Sequence, residues 1–334
     1  MAHKRGIRVV LAGFGGLNES RLDAAPADVA YVKEWVAHGL KSHRATPWVD
    51  GFQLDWEHFP RHDFHPAALT GAVCAIQAGL KQQGQRLHSQ DTAVWGSYGF
   101  FNVTELVKCL DFVVPMGYCN PASSTIAGPT DPLSLMEIEI KGKSKLGGGF
   151  LSAGVPPEKI VLGLPFFGCE YNTCTCNAAS GLPASRSASN TALLSTDNFA
   201  CANAAPSPYP AKGGVPPPCN LAQPPQYPMI GYFDAMTLFR TANVTSSPDH
   251  PDAPELRFHE KFASAWFEYT NKTDGTRHQV WFNDEQAIAK KSGYAFGAGM
   301  HGVSFWTADV LYGKDGADSP DARAMWRAAA PPQR

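Results

Sequence analysis

Short apolar runs recur along this chain, each closed off by glycine, proline or a polar residue. They are Ile7 to Ala12, Gly51 to Asp55, Asp91 to Trp95, Phe112 to Met116, Ile160 to Leu164 and Gly302 to Trp306. Continuous runs of this length suit strands buried on both faces, as a parallel sheet requires. Helical spacing recurs between them, over Ala27 to Leu40, Pro66 to Gln83 and Asp284 to Ser292. Alternation of the two patterns predicts an α/β fold, a parallel sheet with its helices outside. The endings Leu54-Asp55-Trp56-Glu57 and Phe305-Trp306-Thr307 suit barrel strands, whose carboxyl ends carry the chemistry.

The rhythm breaks between Gly168 and about Gln279, where Pro-rich pieces such as Gly214-Val-Pro-Pro-Pro218 and a mixed pattern ending in Trp266-Phe-Glu-Tyr269 take over. Residues 169–279 are therefore expected to be an insertion into one domain covering 1–334. Of the eight cysteines, Cys174, Cys176, Cys201 and Cys219 lie in this stretch, which has little else to pack. Disulfides are expected there, and an oxidising compartment with them. The Cys174-x-Cys176 spacing lacks the partners of a zinc site, so no metal and no cofactor are expected.

At 334 residues, 44% of them hydrophobic, the chain can bury a substantial core. A formal net charge of -2 gives no pull toward nucleic acid or an anionic membrane surface, so the partner is expected to be neutral. No apolar run approaches the roughly 20 residues of a membrane helix. The triplets Asn18-Glu-Ser, Asn102-Val-Thr, Asn243-Val-Thr and Asn271-Lys-Thr agree with a secretory route, lysosomal or extracellular. The basic start Met1-Ala-His-Lys-Arg leads into a strand interrupted by Arg8, so a secretion signal would lie upstream of this sequence.

In the segment Asp50-Gly-Phe-Gln-Leu-Asp-Trp-Glu57, side chains two apart share a face. Gln53, Asp55 and Glu57 therefore project to one side, and Phe52, Leu54 and Trp56 to the other. On a barrel strand the polar set faces the axis and mouth, and the apolar set faces the helices. Two carboxylates there repel, and partial burial disfavours ionisation of both, so one is expected to hold its proton and act as a donor. Ordinary polar decoration, with Asp55 satisfied by backbone donors, explains the strand alone equally well.

Four segments in order carry a resemblance. Asp50 to Glu57 resembles the signature of glycoside hydrolase family 18, Asp-Gly-x-Asp-x-Asp-x-Glu on the fourth strand of a (β/α)8 TIM barrel. Pro115-Met-Gly-Tyr118 resembles its sixth-strand Met-x-Tyr motif, Val161-Leu-Gly-Leu-Pro-Phe-Phe-Gly168 its seventh strand and Gly302-Val-Ser-Phe-Trp306 its eighth. Gly168-Cys-Glu-Tyr171 with its following cysteines, and His278-Gln-Val-Trp-Phe282, are similar to the lysosomal, exo-acting chitobiase branch of the family. The insertion then falls between strands seven and eight.

The resemblance implies a retaining hydrolase of β-1,4-linked N-acetylglucosamine, acting on chitobiose or chitooligosaccharides, the glycan core included. It implies a substrate-assisted mechanism, in which the acetamido oxygen of the sugar replaces an enzyme nucleophile. Glu57 would be the general acid, and Asp55 would orient the acetamide and stabilise the oxazolinium ion. Tyr118 would hold the acetamido oxygen. Gln53, Met116 and Trp306 would contact substrate, Trp306 as the apolar floor under a pyranose. In an arbitrary barrel Tyr118 and Trp306 would more often be packing residues. Asp50 reads as structural, and His58, His62 and His65 as a solvated loop without the partners of a metal site.

Three departures stand out. Gln53 replaces an aspartate, although the chitobiase branch also has an amide there. Cys119 follows Tyr118 where the family has aspartate. Only Ile7 to Ala12 precedes the signature strand, so two βα units are expected to be missing, the chain being an incomplete barrel; eight ring-forming strands would refute this. A monomer is expected. A non-catalytic, lectin-like barrel and a polymer-degrading chitinase are the competing functions.

Overall fold

The computed structural model describes residues 3–5, 7–14, 34, 37, 41, 49–55, 66–82, 84, 87–93, 102–118, 128–144, 147–173, 229–244, 254–270, 277–313 and 319–331. A six-stranded sheet has the order β1-β2-β3-β4-β7-β13. Its strands are β1 (Val10–Phe14), β2 (Gly51–Asp55), β3 (Leu87–Ala93), β4 (Phe112–Met116), β7 (Val161–Pro165) and β13 (Gly302–Trp306). The four pairs from β1 to β7 are parallel. Hydrogen bonds from His301 to Ile160 and from Phe166 to Trp306 advance along β7 and β13 together, so β13 runs the same way. This is the parallel sheet of a partial TIM barrel.

The expected strands 51–55, 112–116 and 302–306 match the structure residue for residue. The first is displaced: β1 covers Val10–Phe14 because pairing sets it, with Val10 opposite Gly51, and Ile7 is left exposed. The third begins earlier than expected, at Leu87, where polar Ser89 and Asp91 are buried in the sheet interior.

Two compact units divide the chain, one of residues 1–117, 136–163 and 295–304, the other of 118–135, 164–294 and 305–334. In the first, Phe52 and Leu54 of β2 are buried while Gln53 and Asp55 are partly exposed, the alternation expected of the signature strand. Val73, Ile76 and Leu80 of helix α1 (Pro66–Gln82) and Leu106 and Val107 of helix α2 (Val103–Cys109) are buried in the same unit. A disulfide, Cys74–Cys109, joins these two helices. Asn102 caps α2, its side chain accepting the Glu105 N–H at 3.3 Å. At the other end the Lys159 ammonium donates to the Val107 and Leu110 carbonyls at 2.7 and 2.6 Å, satisfying helix-terminal acceptors. Helix α3 (Leu133–Lys141) buries Met136 and Ile140. It leads to a short hairpin, β5 (Lys143–Ser144) with β6 (Gly147–Gly148).

The second unit contains an antiparallel five-stranded sheet of order β10-β11-β12-β8-β9. Its strands are β8 (Phe167–Thr173), β9 (Met229–Gly231), β10 (Arg257–His259), β11 (Ser264–Thr270) and β12 (Arg277–Phe282). Helices α4 (Tyr232–Val244), α5 (Glu285–Gly297) and α6 (Pro320–Ala329) belong to the same unit or begin in it. Tyr232, Phe267, Phe282, Ile288 and Met325 share one core there. Gly168 is required by close approach: a Cβ would lie 2.0 Å from the Trp281 carbonyl oxygen of the neighbouring strand.

The Cys174, Cys176, Cys201 and Cys219 cluster lies outside the described residues, as do Cys119, His58, His62 and His65 and nearly all of Ala27 to Leu40.

Candidate active site

The expected catalytic and binding residues sit where parallel strands end. Asp55 is the last residue of β2, Met116 the last of β4 and Trp306 the last of β13. Tyr118 follows β4 by two residues. Glu57 lies outside the described residues.

Register builds the first part of the site. Asp55 pairs with Phe14 on one side and Asp91 on the other, while Gln53 pairs with Ser89. Paired residues of parallel strands project to the same face, so Gln53, Asp55, Ser89 and Asp91 line one surface. On that surface Gln53 Nε2 donates to both Asp91 carboxylate oxygens, at 2.6 and 2.7 Å. Asp91 is 8% exposed, and a neutral amide donor is a suitable partner for a carboxylate held that deep. Asp91 lies within an expected strand, yet nothing marked it as a site residue. Its one signal is parity, because Ser89 and Asp91 are polar residues two apart in a strand, and both are buried.

Met116 continues the row, pairing with Ala93 and with Gly163. The Gly117 N–H donates to the Gly163 carbonyl at 2.9 Å, and a Cβ on Gly117 would stand 2.7 Å from that oxygen. Glycine between Met116 and Tyr118 therefore lets the chain leave β4 close against β7.

Tyr118 belongs to the second unit, where it meets Phe167 edge to face at 5.7 Å. Trp306 is 46% exposed, an unusual state for an indole at a strand end. Its carbonyl accepts the Phe166 N–H at 2.9 Å, and its peptide bond to Thr307 is cis. The preceding Phe305 stacks on Phe166 at 4.1 Å, so the two residues of β13 divide between packing and exposure.

Asp50 is structural, as expected. Its carboxylate accepts the Val9 N–H at 2.7 Å and lies 2.8 Å from the His3 ring, tying the start of β2 to the lead into β1. The Val9 amide and His3 hold this carboxyl below the usual range. A second polar group surrounds Glu170 of β8, which accepts from the Tyr269 hydroxyl and lies 2.7 Å from His278 Nδ1. Burial acts to raise the Glu170 carboxyl, but the His278 and Tyr269 hydrogen bonds outweigh it and hold the group low. Among the described residues no three histidine, cysteine, aspartate or glutamate side chains are grouped to hold a metal ion.

The comparisons with known proteins define the class of this partial β/α barrel: it is a glycoside hydrolase. The chain belongs to the glycosyl hydrolases family 18, whose sequence profile matches residues 2–310. It is similar to di-N-acetylchitobiase of Rattus norvegicus, 24% identical over 99% of this chain and 78% of that protein. The same enzyme of Homo sapiens is 23% identical, over 99% of this chain and 74% of the relative. Among solved structures, a group IV chitinase of Ostrinia furnacalis shares the fold with a TM-score of 0.66 at 17% identity, covering 98% of this chain and 81% of its own. A family 18 chitinase of Cycas revoluta in complex with allosamidin shares it with a TM-score of 0.62 at 18% identity, covering 97% and 80%.

Proposed function

We propose that this enzyme hydrolyses β-1,4-linked N-acetylglucosamine in di-N-acetylchitobiose and short chitooligosaccharides, the core of Asn-linked glycans included. The observation that carries the reading is the row of Gln53, Asp55 and Asp91 on one face at the carboxyl end of β2 and β3, in a signature whose sequence continues two residues on with Glu57. The names of the relatives, di-N-acetylchitobiases, support the substrate.

In this mechanism Glu57 gives its proton to the glycosidic oxygen as the bond to the anomeric carbon breaks. The carbonyl oxygen of the 2-acetamido group attacks that carbon from the opposite face and forms an oxazolinium ion. Asp55 orients the acetamide N–H and balances the positive charge, Tyr118 fixes the acetamido oxygen and Trp306 supports the sugar ring. Water activated by the Glu57 carboxylate then opens the ring. Two inversions leave the product with the starting β configuration.

Location in the lysosome or outside the cell fits the Cys74–Cys109 disulfide and the Asn102-Val-Thr104 triplet, whose Asn102 is exposed. Among the described residues no helix is long and apolar enough to cross a membrane. The insertion of 169–279 and the monomeric state belong to the same proposal.

The test compares a chitobiose reporter with its N-deacetylated counterpart, and follows the anomer first formed by proton NMR. Turnover of the acetylated reporter alone, with the β anomer appearing first, is expected. Equal turnover of both, or the α anomer first, refutes the mechanism. Binding without turnover selects a lectin-like barrel instead.

A further inference from the structure

Position 53 of the signature strand carries an amide, so the carboxylate that the family places beside the Asp55 position is missing from β2. The neighbouring strand supplies one. Asp91 stands opposite Asp55 in the register, on the same face, with strands about 4.8 Å apart. It is nearly fully buried, and its two oxygens both face the Gln53 amide. The amide orientation follows from chemistry, because the carbonyl end of Gln53 turned toward Asp91 would set acceptor against acceptor. The two positions are complementary as they stand. An aspartate at 53 would face a second buried carboxylate, and an asparagine at 91 would lose the charge that holds the Gln53 amide.

We infer that Asp91 is a positioning residue of the active site, the carboxylate that the signature strand lacks relocated onto the adjacent strand, fixing the Gln53 amide and setting a negative charge in line with Asp55. This rests on the reading of Asp55 as the group facing the acetamide. The charge matters most when the substrate becomes cationic. Its loss therefore falls on the step after binding and not on binding itself.

The experiment measures kcat and KM on a chitobiose reporter for wild type, Asp91→Asn, and the exchanged pair Gln53→Asp with Asp91→Asn, with thermal melting recorded for each. Asp91→Asn keeps the shape and removes the charge. The expected result is a kcat lowered by about 10- to 100-fold with KM within about 3-fold, and recovery in the exchanged pair to within about 10-fold of wild type. A merely structural Asp91 would not produce recovery when the acid is moved to the other strand. Wild-type kcat in Asp91→Asn, or an exchanged pair that is folded and no more active than the single variant, overturns the inference while leaving the hydrolase reading intact. Should Asp91→Asn alone fail to fold, the exchanged pair decides: a folded and active protein supports the inference, and one that is unfolded or inactive overturns it. If wild type binds chitobiose without turnover, calorimetry with a cationic aminooxazoline analogue of N-acetylglucosamine replaces kcat. Asp91→Asn is then expected to weaken the analogue about tenfold relative to chitobiose, and an unchanged ratio overturns the inference. Wild type that neither binds nor cleaves overturns both.

Discussion

Lys291 and Asp131 meet at 2.7 Å in the interior of the second unit, with side chains 0% and 1% exposed. Asn283 completes the group, accepting from Lys291 at 2.6 Å and donating to Asp131 at 2.6 Å and to the Pro165 carbonyl at 3.0 Å. Burial alone pushes the Asp131 carboxyl up and the Lys291 ammonium down, and their mutual contact opposes both shifts. The network grips the last residue of β7.

Removing one partner of this pair strands the other. Lys291→Met is expected to lower stability by about 3–5 kcal/mol, read from urea unfolding. Adding Asp131→Asn removes the stranded charge and is expected to recover about 2 kcal/mol of that loss. Additive losses in the double variant would contradict a coupled pair.

The Cys74–Cys109 disulfide closes a loop across a sequence separation of 35, tethering α1 to α2. Replacing both cysteines by serine is expected to cost about 2–4 kcal/mol, mainly by loosening the unfolded chain. Comparing the melting of the variant with that of the reduced wild-type protein checks this. Two equal shifts are expected.

Glu139 of α3 is buried, and one of its oxygens has no hydrogen-bond partner among the described residues. Burial raises its carboxyl from 4.5 to about 7. Between those values the folded state keeps a proton that the unfolded chain has released, so stability falls as pH rises through this window. Glu139→Gln is expected to match wild type near pH 4 and to exceed it by about 2 kcal/mol near pH 8. Urea unfolding at both pH values measures the difference, and an identical pH dependence in the two proteins would contradict it.

Trp306→Ala is expected to raise KM for chitobiose at least about tenfold through loss of the apolar floor proposed for the sugar, with the fold preserved because the indole is exposed. Tyr118→Phe is expected to lower kcat by about 10- to 100-fold with a smaller change in KM, because in the proposed mechanism its hydroxyl acts on the attacking acetamide. Steady-state kinetics separates the two patterns.

The sheet was legible where an apolar run marks a strand, whether the strand is largely buried, as Phe112–Met116 is, or partly exposed throughout, as Gly302–Trp306 is. Phe112–Met116 and Gly302–Trp306 are apolar runs closed by their neighbours, and Phe52 and Leu54 alternate with Gln53 and Asp55 as a strand with two different faces must. The shift of β1 was not legible, since pairing with Gly51 decided it. Helix α2 was missed because seven residues give too few turns for a period to emerge, although its Asn102 cap was present in sequence. The expected helix at 284–292 starts one residue later and runs on to Gly297 through Gly293, whose missing side chain opens onto empty space. Of the site, Asp55 and its face were readable and Asp91 was not. Strand parity is local, whereas the register of β2 against β3 depends on how the intervening helix returns the chain. The Cys74–Cys109 bond was hidden for the same reason, as it depends on two helices packing side by side.

Glu57 is the proton donor of the proposed mechanism, and its most direct test is kcat/KM on a chitobiose reporter for Glu57→Gln against wild type, with circular dichroism confirming the fold. A fall of at least about 1,000-fold in a folded protein is the predicted result. A folded Glu57→Gln variant that cleaves the reporter at the wild-type rate would contradict it.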